Sequence, residues 1–340
     1  LRRCAARAVV LWLTCLGVWA GGCGPSSRDR ETDSTVQLAL NWFPDAQHAG
    51  FFAADVFGLF QQHQLRVQII PGGPAAPVVQ TLALRQVDFA VANADQILMA
   101  RAQGAPVVAV LACMQTSPRC IMVHRQLGIR SLHELRDVTL ALGAGKAFAK
   151  FMQAELPLEN VQVVPYTGSV ALFLADPHVA QQAYVFSEPL VAQQQGADPV
   201  TLMVSDLGFN PYTSCLMTHE DLIRTDPDRV HRMVDSIRQG WLAYFRDPNP
   251  VDERILAANS QMDAASLEFG RTALKPLVLP EGRDESLVGA MEAERWQTLC
   301  DQLIRLGLLP EGTDPSTAYT TEFLKPWKSA STQPQATSSS

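Results

Sequence analysis

The chain has 340 residues and a net charge of −7, with 47% hydrophobic and 18% charged residues. That length suits one large domain or two of ordinary size, and the composition is globular rather than disordered or fibrous. The acidic balance leaves no basic footprint for nucleic acid, and no interior run reaches the ~18 apolar residues of a membrane span, which sets aside channels, multi-span transporters and histone-like binders.

In chain order, Arg2, Arg3 and Arg7 precede an apolar run from Ala8 to Ala20. The run is too short for a spanning helix but fits the h-region of an export signal, predicted over residues 1–22. Gly21-Gly22-Cys23 resembles a bacterial lipoprotein cleavage box. Cys23 is the predicted lipidation site, and residues 23–35 the lipid anchor and polar tether. An ordinary secretory signal cut near Cys23 is the alternative. Both place the mature protein outside the cytoplasm. Of seven cysteines, Cys113, Cys120, Cys215 and Cys300 fall in the body of the chain. No C-x-x-C occurs, so no metal site is expected. Buried free thiols are the expectation, with Cys120–Cys215 as the alternative pairing.

Val36 to Leu40 reads as a buried strand and Ala49 to Phe60 as a helix broken at Gly58. Leu65 to Ile70 alternates as a second strand, and Pro71-Gly72-Gly73-Pro74 is a turn. A helix over Val78 to Leu84, a strand over Asp88 to Val91, a helix over Asp95 to Gln103 and a strand over Pro106 to Ala112 follow. Ser131 and Glu134 have capping-box spacing. Val138 to Leu142 then leads into Gly143-Ala144-Gly145-Lys146 and a helix. Val161 to Val164, Ala183 to Phe186 and Val200 to Val204 are further predicted strands. The alternation predicts an α/β fold with largely parallel sheet. From Asp226-Pro227 the chain turns helical, with Val230, Met233, Val234, Ile237, Trp241, Tyr244 and Phe245 on one core-facing stripe. Residues 326–340 form a polar tail predicted to be disordered.

Ligands of open α/β sheets sit beyond the carboxyl ends of strands. The loop Asn41-Trp42-Phe43-Pro44-Asp45-Ala46-Gln47-His48 follows the first strand directly. Trp42 offers a flat apolar platform and Asn41 both donor and acceptor atoms; a core Trp42 with Asn41 shaping the turn is the alternative. Gly143-x-Gly145-Lys146 lacks P-loop spacing, though backbone N–H groups there could meet a polar ligand group. No G-x-S-x-G or H-E-x-x-H occurs.

With F-F-A-A-D-V-F-G-L-F after it, the opening loop resembles the family that joins bacterial substrate-binding proteins for thiamine-pyrimidine precursors with the yeast pyrimidine synthase. The likeness continues through Pro71 to Pro74, Val87-Asp88-Phe89, Asp95 to Gly104, Ser187-Glu188-Pro189, Gly208 to Tyr212 and Tyr319 to Leu324. It implies a two-lobed periplasmic-binding fold of the second type with the ligand cleft between lobes. Residues 36–119 and 216–325 would form lobe 1, and residues 120–215 lobe 2. It places Asn41, Trp42, His48 and Glu188 in the cleft. Gly73, Asp95 and Tyr212 complete the expected ligand-binding set. Glu188 suits an aminopyrimidine, since a carboxylate can accept from an exocyclic amine and a ring N–H. A synthase would need a lysine and a histidine four and eight residues after Asp88, where this chain has Ala92 and Gln96. The family's cysteine-rich iron motif is also missing.

The resemblance therefore implies a non-enzymatic, cofactor-free substrate-binding component of an ABC importer. The protein would be periplasmic or cell-surface, anchored by its lipid, and monomeric, with a permease and an ATPase as partners. Its cargo is expected to be an aminopyrimidine thiamine precursor. The alternatives are riboflavin, a sulfonate or nitrate, or a ligand-sensor role. Asp45, Asp95 and Glu188 argue against anions, while Arg101 and Arg119 argue the other way.

Overall fold

The computed structural model describes residues 35–74, 76–282 and 284–325. The predicted export signal, Cys23, the tether up to Ser34 and the tail over 326–340 lie outside the described residues. Among the described residues no helix is long and apolar enough to cross a membrane.

The strands are β1 (Val36–Ala39), β2 (Val67–Ile70), β3 (Phe89–Ala92), β4 (Val107–Met114), β5 (Arg119–His124), β6 (Thr139–Leu142), β7 (Gln162–Pro165), β8 (Val179–Tyr184), β9 (Pro199–Met203) and β10 (Thr213–His219). The helices are α1 (Ala49–Val56), α2 (Leu59–Gln62), α3 (Val78–Ala83), α4 (Ala94–Ala102), α5 (Ala147–Glu155), α6 (Ala171–Ala175), α7 (Glu188–Gln194), α8 (Glu220–Thr225), α9 (Pro227–Arg246), α10 (Asn249–Ala258), α11 (Ala264–Val278) and α12 (Ala293–Arg305). The strands make two five-stranded sheets, ordered β2-β1-β3-β10-β4 and β7-β6-β8-β5-β9. Each sheet anchors one lobe of a two-lobed α/β architecture. The chain leaves the first sheet after β4, builds the second with β5 to β9, and returns in β10.

The two sheets share one plan. Three parallel strands meet one antiparallel strand, β10 in the first sheet and β5 in the second, which in turn pairs antiparallel with the edge strand. The expected largely parallel sheet is corrected accordingly: both sheets are mixed. The two inserted strands are those the local pattern did not predict. R-C-I-M-V-H and T-S-C-L-M-T-H are short apolar runs that periodicity alone does not assign. The strand expected over Ala183 to Phe186 instead spans Val179–Tyr184. Ser131 caps only a 3-10 turn, Leu132–Glu134, and its side chain makes no cap bond. Glu134 instead accepts from the backbone N–H of Arg130 at 2.8 Å.

Strands β3 and β4 are buried along their whole length. Their apolar runs feed both faces of the first sheet. Phe89, Val91 and Leu216 pack with α1, α9 and α11, while Ala90, Ala92 and Met217 pack with α4 and α12. Helix α9 begins where the Asp226 carboxylate accepts from the N–H of Arg229 at 3.0 Å, with Pro227 in its first turn. Its predicted stripe is buried save for the half-exposed Phe245. The four cysteines of the body are buried free thiols, so the Cys120–Cys215 pairing is not formed. Burial pushes the Cys113 thiol up to about 12.

Candidate ligand cleft

The opening loop lies at the carboxyl end of β1. Asp45 caps a 3-10 turn, accepting from the Gln47 backbone N–H at 3.0 Å and from its side-chain amide at 2.9 Å. This locks Ala46–His48 ahead of α1. His48 is fully buried, and its Nε2 lies 3.1 Å from Asn41 Oδ1, which can only accept. Its Nδ1 faces Asp45 Oδ1 at 3.1 Å. His48 therefore holds the Asn41 amide by its oxygen, which leaves the Asn41 N–H groups outside this contact. Trp42 and Phe43 remain 41% and 40% exposed, edge to face with ring centroids 5.7 Å apart. That is unusual for large aromatics beside a core and makes an apolar platform.

The platform rests on the glycine turn. Gly72 donates to the Trp42 carbonyl at 3.0 Å, and a Cβ on Gly72 would stand 2.0 Å from the Leu40 carbonyl oxygen. Gly73 lies under the Phe43 ring edge, where a Cβ would stand 3.5 Å away. Ser214, at φ +52°, donates its backbone N–H to Asn93 Oδ1 at 3.3 Å and its hydroxyl to Gln47 Oε1 at 3.4 Å. The loop after β1, the start of α4 and the start of β10 are thereby held together.

Asp95 lies in the first turn of α4, beyond the end of β3. Its Oδ1 is buried and has no hydrogen-bond partner. Burial pushes its carboxyl above the usual carboxylate range, and a backbone N–H bond from Gln96, with the charges of Arg119 and Lys146, only partly offsets this. Both cations come from the second lobe's elements, Arg119 opening β5 and Lys146 preceding α5. The Arg119 guanidinium stacks on Phe148 at 4.5 Å and Tyr184 at 4.0 Å. No carboxylate pairs with it among the described residues. Arg101, by contrast, pairs with Glu220 at 2.7 Å at the protein surface and is spent there.

Glu188 opens α7 beyond the end of β8. One carboxylate oxygen accepts from the Tyr166 hydroxyl at 3.0 Å and the other from the Tyr184 N–H at 2.9 Å. Burial and the Glu188 charge push the Tyr166 hydroxyl well above its ordinary range, so it stays a donor. Helix α11 brings this loop to the first one: a Cβ on Gly270 would stand 2.6 Å from Ala46 Cβ and 3.5 Å from the Phe186 carbonyl.

The Tyr212 carbonyl accepts from the Ala94 N–H at 3.0 Å, next to Asp95, but its side chain turns to another cavity. Its ring is 2% exposed beneath the Arg295 guanidinium at 3.9 Å, and its hydroxyl accepts from the Glu292 N–H at 2.9 Å. It lines a hinge-side cavity of about 330 Å³ with Gln115, Asn210, Leu279 and Arg295. Residues the sequence did not single out are Phe148, Tyr166 and Tyr184. Tyr166 directly follows β7 and Tyr184 ends β8, strand-end positions that could have marked them.

Two mixed sheets with loops converging from their strand ends define a bilobal binding-protein fold. Among solved structures the chain is similar to the periplasmic aliphatic sulphonate binding protein SsuA of Escherichia coli, with a TM-score of 0.66 at 13% identity over 89% of this chain and 96% of that one. The chain belongs to the NMT1/THI5-like family, which it matches over residues 45–250. It is 23% identical to the riboflavin-binding protein RibY of Chloroflexus aurantiacus over 316 residues, covering 88% of this chain and 89% of RibY. It is 29% identical to the formylaminopyrimidine-binding protein of Halalkalibacterium halodurans over 116 residues, 34% and 35% of the two chains.

Proposed function

We propose that this protein is the extracytoplasmic, lipid-anchored substrate-binding component of an ABC importer and that it captures a small heteroaromatic ligand between its lobes. The observation that carries the reading is the exposed Trp42–Phe43 platform beside the oriented Asn41 amide. A flat ring buries apolar area on the platform, while cleft donors and acceptors fix its edge. Lobe closure is a hinge motion that such a ligand stabilises by touching both sides. The permease and ATPase would take the cargo from the closed form.

An aminopyrimidine of the thiamine-precursor type is the first candidate. Riboflavin is the second reading, favoured by one observation: the relative named for it matches nearly the whole chain. Chemistry on the ligand is not part of the proposal. Where a synthase of the family would need lysine and histidine, Ala92 is a buried strand end and Gln96 accepts from the Asn93 N–H at 3.1 Å.

The test is thermal shift and fluorescence titration of residues 34–340 with aminopyrimidines, thiamine, riboflavin, taurine and nitrate. A ligand that binds only the folded state raises the melting temperature. Stacking of a base on an aromatic is worth ~1–3 kcal/mol, so Trp42→Ala should weaken the ring ligand roughly 5- to 150-fold with little loss of fold. A shift with taurine or nitrate alone, or unchanged ring affinity in Trp42→Ala, would overturn the reading.

A further inference from the structure

The two carboxylates of the cleft differ in what already holds them. Each oxygen of Glu188 accepts a protein donor, the Tyr166 hydroxyl on one and the Tyr184 N–H on the other. Those bonds hold the Tyr166 side chain and the backbone at Tyr184, whose ring carries the Arg119 guanidinium. Asp95 has the opposite character. At the start of α4 the carboxylate receives backbone N–H bonds from Gln96 and from Asp95 itself, but its Oδ1 is buried with no partner, within the field of Arg119 and Lys146. An unmet acceptor in such a position costs about as much as a lost hydrogen bond. A bound group that donates an N–H would remove that cost. Arg119 has N–H groups with no carboxylate or hydrogen-bond partner among the described residues, and Asn41, which follows β1 as Asp95 follows the neighbouring β3, has amide N–H groups left over once His48 holds its oxygen.

We infer that Asp95, rather than Glu188, is the carboxylate that reads the ligand's N–H donor, with Arg119 and Asn41 donating to the acceptor beside it. The cargo then carries adjacent donor and acceptor atoms on one ring edge, as an amine beside a ring nitrogen or an imide N–H beside a carbonyl. Glu188 is a positioning residue that orients the Tyr166 hydroxyl and holds the backbone at Tyr184. This assignment rests on the ring-binding reading above and names the edge chemistry of the same site. It also excludes simple oxyanions as cargo, because they bring no N–H for Asp95.

The experiment is a cycle between side chain and ligand. The two ring probes are riboflavin and 4-amino-5-hydroxymethyl-2-methylpyrimidine. Each is compared with its N–H-blocked analogue, the N3-methyl flavin and the des-amino pyrimidine. Dissociation constants are measured for wild type, Asp95→Asn and Glu188→Gln. For the probe that wild type binds, Asp95→Asn should lose about ten- to hundredfold in affinity, the scale of a charge-assisted hydrogen bond. Blocking the N–H should cost wild type a similar factor and cost Asp95→Asn less than about threefold, since the two changes remove one interaction. Glu188→Gln should weaken probe and analogue equally. Equal losses on N–H blocking in wild type and Asp95→Asn, or coupling at Glu188 instead, would overturn the assignment while leaving ring binding intact. Failure of wild type to bind either probe would take down the ring-binding reading and this assignment with it.

Discussion

Burial raises the Asp95 carboxyl above its ordinary value of 3.8, and the Gln96 N–H with the Arg119 and Lys146 charges recovers only part of that cost. Between the unfolded and folded pKa values the folded chain holds a proton that the unfolded chain has released. Stability therefore falls as pH rises through that window. Asp95→Asn removes the charge. The ligand-free variant should melt above wild type at pH 7, and the gap should close as pH falls below 3.8, where both states of wild type become protonated. A wild type that melts above the variant at pH 7 would mean that the two cations more than repay the burial. Residue identity was legible here without role. Asp95, Glu188 and His48 stand in motifs that the sequence displays. That one acid keeps a buried oxygen without a partner, another holds the Tyr166 hydroxyl and the Tyr184 backbone, and the imidazole lies behind Asn41 depends on tertiary contacts and burial, and no spacing encodes that.

Helices α1 and α9 touch backbone to backbone, and the cleft's opening loop feeds straight into α1. A Cβ on Gly240 would stand 2.2 Å from the Gly50 carbonyl oxygen and 3.0 Å from the Ala54 nitrogen. No side chain can swing away to relieve such a contact. Overpacking costs ~1–3 kcal/mol or more, against a helix-propensity gain of ~1 kcal/mol for replacing glycine, so Gly240→Ala should lose about 2 kcal/mol. A urea-unfolding midpoint equal to wild type's would refute the close packing. Gly72→Ala presses on the Leu40 carbonyl in the same way, but within the site. Its expected signature is a displaced Trp42 and ring affinity reduced by about tenfold or more, on the scale of a lost stacking contact, read by tryptophan fluorescence and titration. The stripe of α9 was readable from its 3.6-residue period, and the capped start at Asp226-Pro227 from local chemistry. Strands β5 and β10 were not. Their place is set by pairing with strands far away in sequence, β8 and β9 for the one and β3 and β4 for the other. The Ser131 capping signal was present but led to a single 3-10 turn, because the chain enters β6 only a few residues later.

At the scale of the whole molecule, the repeat of one sheet plan was visible as a pattern that restarts, whereas the device that joins the halves was not. Arg295 of α12 donates Nε–H to the Asn210 carbonyl at 2.9 Å and Nη1–H to the Gln115 carbonyl. Those carbonyls belong to the two segments that cross between the sheets, and they lie 85 and 180 residues from Arg295 in sequence. Ser117 adds a bond between the crossings, its N–H donating to Asn210 Oδ1 at 2.8 Å. One first-lobe cation thus clasps both hinge segments, with its guanidinium flat on Tyr212. Arg295→Met keeps much of the volume and removes the clasp. Two carbonyls lose charged donors, so stability should fall by about 2–3 kcal/mol. The functional consequence is separate. A ligand that binds only closed lobes has an apparent dissociation constant equal to the intrinsic one divided by the closed fraction, so a loosened hinge should weaken ring binding about three- to tenfold. The ligand-free radius of gyration in solution scattering should rise, and saturating ligand should return it to the wild-type value. A variant that melts lower yet keeps wild-type affinity and radius would make Arg295 a packing residue with no part in closure.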